Sequence, residues 1–343
     1  THDLGFYRRS RRPVHGRFAG HPHFGGRSCD PWCNNNYWSL HVDHDFQQVE
    51  VMATPNTPPQ FGVVILTMGK RPIELRTAIE SVICQVNVDT EIVVVGNGWK
   101  PIDLPAGVKA LALPENVGIP AGRNAGVSQV RGDILFFLDD DAELPDPHFL
   151  ERMAALLASR PEIGLIQPRV VDPTGVAAPG RWVPRLRVGD PATPGPATSL
   201  WEGATVIRRS VFDACAGWPE EFFYAHEGID LVWRVWDSGY IPWYAGDIDV
   251  YHPVINPLRH EEFYRMNARN RVWLARRNLP VVLEPLYVGS WAGLTMLRVR
   301  DSSARKAWLS GMREGMSVRP SGRKAMKWKT VWAMTKAGRP PVI

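Results

Sequence analysis

The sequence predicts an α/β protein with a mostly parallel central sheet flanked by helices. Three observations carry this. Short apolar, β-branched runs recur at 60–67, 91–95, 108–113 and 134–138. Stretches with helical apolar spacing separate them, and that alternation argues parallel strands joined by helical crossovers. The last run ends in Asp139-Asp140-Asp141, which puts carboxylates at the rim of the sheet, where open α/β sheets bind ligands.

Gln60 to Thr67 (QFGVVILT) reads as a first buried strand, because apolar residues fill both faces. From Pro72 to about Cys84 the residues Ile73, Leu75, Ala78, Ile79, Val82 and Ile83 can share a helix face. Glu91 to Val95 is a second strand, closed by Gly96-Asn97-Gly98, and Val108 to Leu113 a third. Ile119 to about Val130 reads as a helix. Ile134 to Leu138, bounded by Gly132 and Pro145, is the next buried strand. The Pro- and Gly-rich stretch from Pro173 to Pro196 predicts a mobile loop over the cleft. A helix from Glu227 to Ser238 stops at Gly239, and on it Glu227, Asp230 and Arg234 share a face, with Asp230 and Arg234 paired at i, i+4. There is no GxGxxG after the first strand and no GxxxxGK[ST] anywhere, so two common nucleotide-binding solutions are absent.

Adjacent carboxylates repel one another unless a cation lies among them. A hard divalent ion with oxygen ligands, Mn2+ or Mg2+, suits the triplet and commonly shares its shell with substrate phosphates. A solvated acidic turn is the plain alternative.

Five segments in order resemble glycosyltransferase family 2, which has the GT-A fold: VVILTMGKRP, EIVVVGNG, ENVGIPAGRNAGV, ILFFLDDDAEL and EGATVIRRSVFDACAGWPEEFFYAHEGIDLVWRVWDSGY. The resemblance runs from about Gln60 to Pro280. It implies a Rossmann-like GT-A domain with a C-terminal helical extension, performing metal-dependent inverting transfer from a nucleotide-sugar donor. By the same resemblance Asp139 and Asp141 hold the metal, and His252 completes its shell or touches the diphosphate. Thr67, Arg71, Asn97, Asn116, Gly118, Arg123, Asn124 and Asp140 line the donor side. Arg123 offers a planar fork to phosphate or to the triplet, and Asn124 bonds sugar hydroxyls or backbone. Trp201, Glu202, Gly203 and His226 border the acceptor. Trp218 and Trp233 can offer a face to a sugar ring, or pack in the core.

Three departures from the family pattern bear on chemistry. Met68-Gly69-Lys70 replaces the usual middle of the nucleotide loop. Gly96 stands where an Asp commonly meets the base, leaving Asn97 to substitute and Trp99 to stack or pack. Gly228 stands where the family carries the acidic residue that is its usual base, which leaves Glu227 as first candidate base, Asp230 as second and His226 as third.

The chain divides into an extension at 1–58, a catalytic domain at 59–255 and a basic helical region at 256–343. Six of its ten histidines fall in the first 51 residues, beside an Arg-rich run without periodicity. That stretch reads as a disordered extension or as sequence upstream of a start at Met52, and Cys29 and Cys33 lack good zinc-site spacing. Cys84 and Cys215 read as buried thiols, and nothing demands disulfides, which fits a reducing, cytoplasmic compartment.

An Arg-rich helix spans about Arg259 to Asn278, and the apolar run from Pro285 to Leu297 is short for a membrane span. Residues 298–343 hold 12 Lys and Arg against Asp301 and Glu314, interleaved with Trp308, Met312, Met316, Met326, Trp328, Trp332 and Met334. This fits a helix lying on the inner face of the plasma membrane, and it also fits a solvated tail or an oligomer contact. No recognition motif supports nucleic-acid binding. The expected partners are a UDP-, GDP- or dTDP-sugar and a glycan, glycolipid or cell-envelope polymer. Two alternatives stay open: a polyprenyl-phosphate glycosyl synthase, and a catalytically silent sugar-nucleotide-binding scaffold.

Overall fold

The structure, a computed structural model, describes residues 57–254 and 261–342. The reading of residues 1–51, with Cys29 and Cys33, lies outside them. Eight strands form one sheet: β1 (Gln60–Thr67), β2 (Asp89–Gly96), β3 (Lys109–Ala112), β4 (Ile134–Asp139), β5 (Ile163–Val171), β6 (Gly195–Pro196), β7 (Ala204–Arg208) and β8 (Ile241–Tyr251). Their order is β3-β2-β1-β4-β7-β5-β8-β6. The first four are parallel, β7 runs antiparallel to β4 and β5, and β8 returns parallel to β5. The mixed, mostly parallel sheet with helices on both faces is the GT-A arrangement the sequence predicts.

Nine helices accompany it among the described residues: α1 (Pro72–Ile83), α2 (Ile119–Val127), α3 (Phe149–Ser159), α4 (Arg209–Ala214), α5 (Glu227–Asp237), α6 (Glu261–Asn278), α7 (Glu284–Arg298), α8 (Ser302–Ser317) and α9 (Trp328–Lys336). Alternation along the strands divides the core. Val63 and Ile65 of β1 join Phe136 of β4 and the apolar stripes of α1 and α3 on one face. Val64 and Phe137 meet Trp218, Trp233 and residues of α5, α6 and α9 on the other. Trp218 and Trp233 are therefore core residues, not platforms for a sugar ring.

On α1 the buried stripe is Leu75, Ala78, Ile79 and Val82. Ile73 and Ile83, expected on the same face, are exposed; Ile73 precedes Leu75 by two residues, which turns it to the opposite side of the helix, and Ile83 lies at the edge of the stripe. Cys84 is also exposed, while Cys215 is buried as expected.

The C-terminal helices pack onto the sheet domain and onto one another. α6 crosses α8 closely: a Cβ on Gly311 would lie 2.0 Å from the Arg265 carbonyl oxygen. Asp301 caps α8 by accepting a hydrogen bond from the Ala304 amide at 2.7 Å. Trp308, Met312, Met326 and Met334 are buried, so they build core rather than a membrane-facing surface. Met316, Trp328 and Trp332 remain exposed. Among the described residues no helix is long and apolar enough to cross a membrane.

Candidate active site

The carboxylate triplet lies where β4 ends, and each member has its own partners. Asp139 accepts a hydrogen bond at 2.7 Å from Arg123, whose guanidinium lies over the Trp218 ring. Asp140 accepts one from the Thr67 hydroxyl at 2.6 Å and another from Arg71 at 3.2 Å. Asp141 pairs with Arg71 and lies 3.2 Å from Nε2 of His252. Burial raises the Asp140 carboxyl to about 6 against the pull of Thr67. Asp141 is buried too, yet the His252 hydrogen bond and charge leave its net shift downward. Burial alone would lower His252; the bond and charge of Asp141 outweigh it and the net shift is upward.

One ligand atom each from Asp139, Asp141 and His252 falls within 4.8 Å of the others. The donor set is two carboxylate oxygens and an imidazole nitrogen, and His252 Nδ1 is buried without a hydrogen-bond partner. That chemistry fits Mn2+ or Mg2+. His252 is held edge-on by Trp201 and Trp182, at ring-centroid distances of 5.0 and 5.4 Å. Trp182 sits in the segment expected to be a mobile loop. It is buried, and Gln167 donates a hydrogen bond to its carbonyl at 2.7 Å while accepting one from the Trp201 amide at 2.8 Å. The segment is therefore anchored at its centre, against the Asp139–Asp141–His252 group.

The expected donor residues divide into those that face the triplet and those that hold the loops. Thr67, Arg71 and Arg123 face it, as above. Asn97 is buried: its amide donates to Asn116 at 2.9 Å and to the Gly118 carbonyl at 3.2 Å, and its oxygen accepts from the Val117 amide at 2.9 Å. Its side chain is used up in pinning the loop, so it is not placed to read a base. Asn116 also accepts from the Gly118 amide. Gly118 has φ +87° and approaches Phe223 so closely that a Cβ would lie 2.6 Å from its carbonyl oxygen. Asn124 bonds backbone rather than facing the triplet, through the Trp218 carbonyl and amide at 2.9 and 3.0 Å. Trp99 packs on Gly69, where a Cβ would lie 2.4 Å from its ring.

Beyond Asp139 the site opens into a cavity of about 630 Å3. Its sheet-side wall carries Arg123, Asp139, Glu202, Gly203, His226 and Glu227, together with Trp201. Three residues leading into α5, Phe223, Ala225 and His226, have positive φ. They are costly conformations for non-glycine residues. Asn270 of α6 supports the turn by donating to the carbonyls of Phe222, Tyr224 and Ala225 at 2.8, 2.7 and 2.9 Å.

Glu202 and Glu227 are neighbouring buried carboxylates that repel each other. Burial and the neighbouring Glu202 push Glu227 up to about 8. Burial pushes Glu202 upward as well, with the Arg123 charge opposing. Glu202 accepts a hydrogen bond from the Gly228 amide at 3.0 Å. A Cβ at Gly228 would lie 2.3 Å from Glu202 Oε1. The missing side chain at 228 is thus replaced in space by the Glu202 carboxylate, reaching in from the turn before β7. Glu227 Oε2 is buried without a partner.

Asp230 is elsewhere. It has no accessible surface and accepts hydrogen bonds from Arg234 at 2.7 Å, Arg277 at 3.1 Å and Asn278 at 2.7 Å. It ties α5 to α6 and does not reach the cavity, which corrects its placement as a candidate base. Burial holds His226 well below the ordinary histidine range, so its ring is neutral.

Sequence reasoning missed the opposite wall. It is built by Phe263, Tyr264, Asn267 and Arg271 of α6, Trp291 and Arg298 of α7 and Trp308 of α8. The alternation of Arg and aromatic residues in those helices was the available signal.

Residues 63–215 match the family described as glycosyl transferase family 2. The chain is 26% identical over 201 residues to the O-antigen biosynthesis protein RfbC of Myxococcus xanthus, covering 50% of this chain and 16% of that protein. It is similar in structure to S. aureus TarS 1-349 in complex with UDP-GlcNAc, with a TM-score of 0.55 at 15% identity over 76% of this chain and 82% of that one. It is also similar to GalNAc-T7 with UDP, GalNAc and Mn2+, with a TM-score of 0.55 at 15% identity over 78% of this chain and 56% of that one. These structural likenesses concern the fold.

Proposed function

Residues 63–215 being a glycosyl transferase family 2 domain, we propose that the chain catalyses metal-dependent, inverting transfer of a sugar from a nucleotide donor to a hydroxyl of a glycan, glycolipid or cell-envelope polymer. The observation that carries this reading is the single cavity bounded by both halves of such a site: Asp139 beside the metal cluster, and the Glu202–Glu227 pair.

In an inverting displacement the acceptor oxygen bonds to the anomeric carbon as the bond from that carbon to the diphosphate oxygen breaks. Asp139, Asp141 and His252 would hold Mn2+ or Mg2+, which when bound supplies charge neutralisation for the diphosphate. Arg71 brings its own positive charge to Asp140 and Asp141, and Arg123 fixes the orientation of Asp139. The acceptor proton goes to the carboxylate pair. The Gly228 amide and the Arg123 charge favour an anion on Glu202, whereas burial and the neighbouring Glu202 raise Glu227 and leave it the poorer acceptor. Glu202 is thereby the base, in the space that Gly228 leaves open. This also weakens the silent-scaffold reading, which rested partly on the loss of an acid at 228.

The donor is a UDP-, GDP- or dTDP-sugar; similar folds are solved with UDP-GlcNAc and with UDP and Mn2+. The exposed Trp328 and Trp332, flanked by Lys327, Lys329 and Lys336, support peripheral attachment to an anionic membrane surface. The test of the donor site is a thermal-shift panel of these nucleotide sugars, each with Mn2+ and with EDTA, on wild type and Asp141→Ala. Stabilisation by one nucleotide class that needs metal and disappears in the variant is the expected result. A panel with no metal-dependent shift counts against the donor site.

A further inference from the structure

We propose that the helical wall of the cavity binds a phosphate group carried by the acceptor, with Arg271 as its principal ligand. This rests on the glycosyl-transfer reading and adds the chemical class of the acceptor to it.

Three observations on that wall point the same way. Arg271 of α6 is only 8% exposed, yet among the described residues no carboxylate lies within ion-pair distance of it. Its contacts are a neutral hydroxyl, that of Tyr287 at 3.1 Å, and the Trp291 ring, 3.7 Å from the guanidinium carbon. Its Nε is buried without a partner among the described residues. A buried charge of this kind is ordinarily paired, because leaving it uncompensated is strongly unfavourable.

The second observation is the company it keeps. Trp291 and Trp308 line the same cavity, and the indole N–H of each is buried with no acceptor among the described residues. Three unsatisfied hydrogen-bond donors therefore lie on one wall. A buried donor left unsatisfied is rare in folded proteins and calls for a cause. An anion with several oxygens meets this requirement: guanidinium and indole N–H groups can only donate, and phosphate oxygens only accept.

The third observation is charge. Besides Arg271, and Arg123 which pairs with Asp139, the cavity is lined by Arg298 of α7 and by Arg181 from the 173–196 segment, whereas its acidic residues, Asp139, Glu202 and Glu227, belong to β4, the turn before β7 and α5. His226 adds no charge, its ring being neutral. Three guanidinium groups favour a phosphate over a singly charged carboxylate. Phe263, Tyr264 and Trp291 supply aromatic surface for the apolar faces of the moiety that carries it. The phosphate would thus be recognised on α6–α8 while an acceptor hydroxyl reaches Glu202.

The shared chemistry has two sources, a lipid-linked phosphate and a soluble phosphorylated glycan. The first experiment measures the thermal shift of wild type, Arg271→Gln and Arg298→Gln with inorganic phosphate, glycerol phosphate and glucuronate, in EDTA so that the metal cluster takes no part. The expected result is stabilisation by both phosphates and not by glucuronate. The concentration for half the shift should rise at least tenfold in each variant. Arg298 is exposed, so its variant reports even where Arg271→Gln folds poorly. Co-sedimentation with phosphatidylcholine vesicles containing phosphatidic acid then separates the sources: Arg271-dependent binding assigns a lipid phosphate, and its absence alongside a soluble-phosphate shift assigns a soluble one. No phosphate shift in wild type, or a shift unchanged in both variants, overturns the proposal. The nucleotide-sugar shift with Mn2+, measured on the same three proteins, reports separately on the donor site.

Discussion

The exchange of carboxylates between positions 202 and 228 is the sharpest mutational consequence of the site. Gly228→Asp places a Cβ 2.3, 2.5 and 2.7 Å from Glu202 Oε1, Cγ and Cδ, inside any real contact distance. Overpacking of a filled site costs roughly 1–3 kcal/mol. The new carboxylate also joins two others whose mutual repulsion and burial already drive Glu227 to about 8. Gly228→Asp alone should therefore destabilise the fold by about 2–4 kcal/mol and lower activity. Glu202→Gly removes the proposed base and should lower kcat by roughly 10^2–10^4, the usual contribution of general-base catalysis. The double variant Glu202→Gly with Gly228→Asp opens the occupied space and returns a carboxylate from the helix side. It should recover at least about tenfold in kcat over Glu202→Gly and lose the thermal penalty of Gly228→Asp; non-additivity of this size is expected for groups in contact. The assay is nucleoside diphosphate release at saturating donor and metal, paired with thermal denaturation. Near-wild-type kcat in Glu202→Gln, or strictly additive effects in the double variant, would refute the reasoning.

Three further outcomes follow from the geometry. Glu227 has its folded pKa raised to about 8 from an ordinary value of 4.5, so the stability it allows is complete below about 4.5 and is lost as pH rises through 8; Glu227→Gln should flatten that decline and melt higher than wild type above pH 8, as urea denaturation across pH will read. Asp230→Ala strips three donors of their buried acceptor and should cost about 3–5 kcal/mol, while surviving folded protein keeps its metal-dependent nucleotide shift. Trp328→Ala with Trp332→Ala should weaken co-sedimentation with anionic vesicles several-fold and leave Tm within about 1 °C, because both side chains are exposed.

What the sequence made legible follows from locality. The runs of β1 and β4 are apolar on both faces because the strands are covered on both, and this leaves little ambiguity about what they are. Asp139 and Asp141 are adjacent in sequence to the strand that presents them. The Asp230–Arg234 pair is likewise local, and it forms as its i, i+4 spacing predicts. The remainder depends on contacts between distant segments. Glu202 reaches the amide of Gly228 across 26 residues, so a vacancy at 228 and a carboxylate at 202 give no joint signal in one sequence. Asn97 and Asn124 carry the amides expected at a ligand site, but a loop closing on its own backbone consumes them. The basic region concealed its role most. Arg271 and Trp308 line a cavity between helices, α8 lying close on α6 at Gly311, and no composition count distinguishes them from the exposed Trp328 and Trp332.

The central claim is inverting transfer with Glu202 as base, and the most direct measurement is the anomeric configuration of the sugar first released from the donor. With Mn2+ and water as acceptor, proton NMR before mutarotation should show the anomer opposite to that of the donor, and Glu202→Gln should slow its appearance by roughly 10^2-fold or more. Release of the donor's own anomer, or inverted product at an undiminished rate in Glu202→Gln, would contradict it.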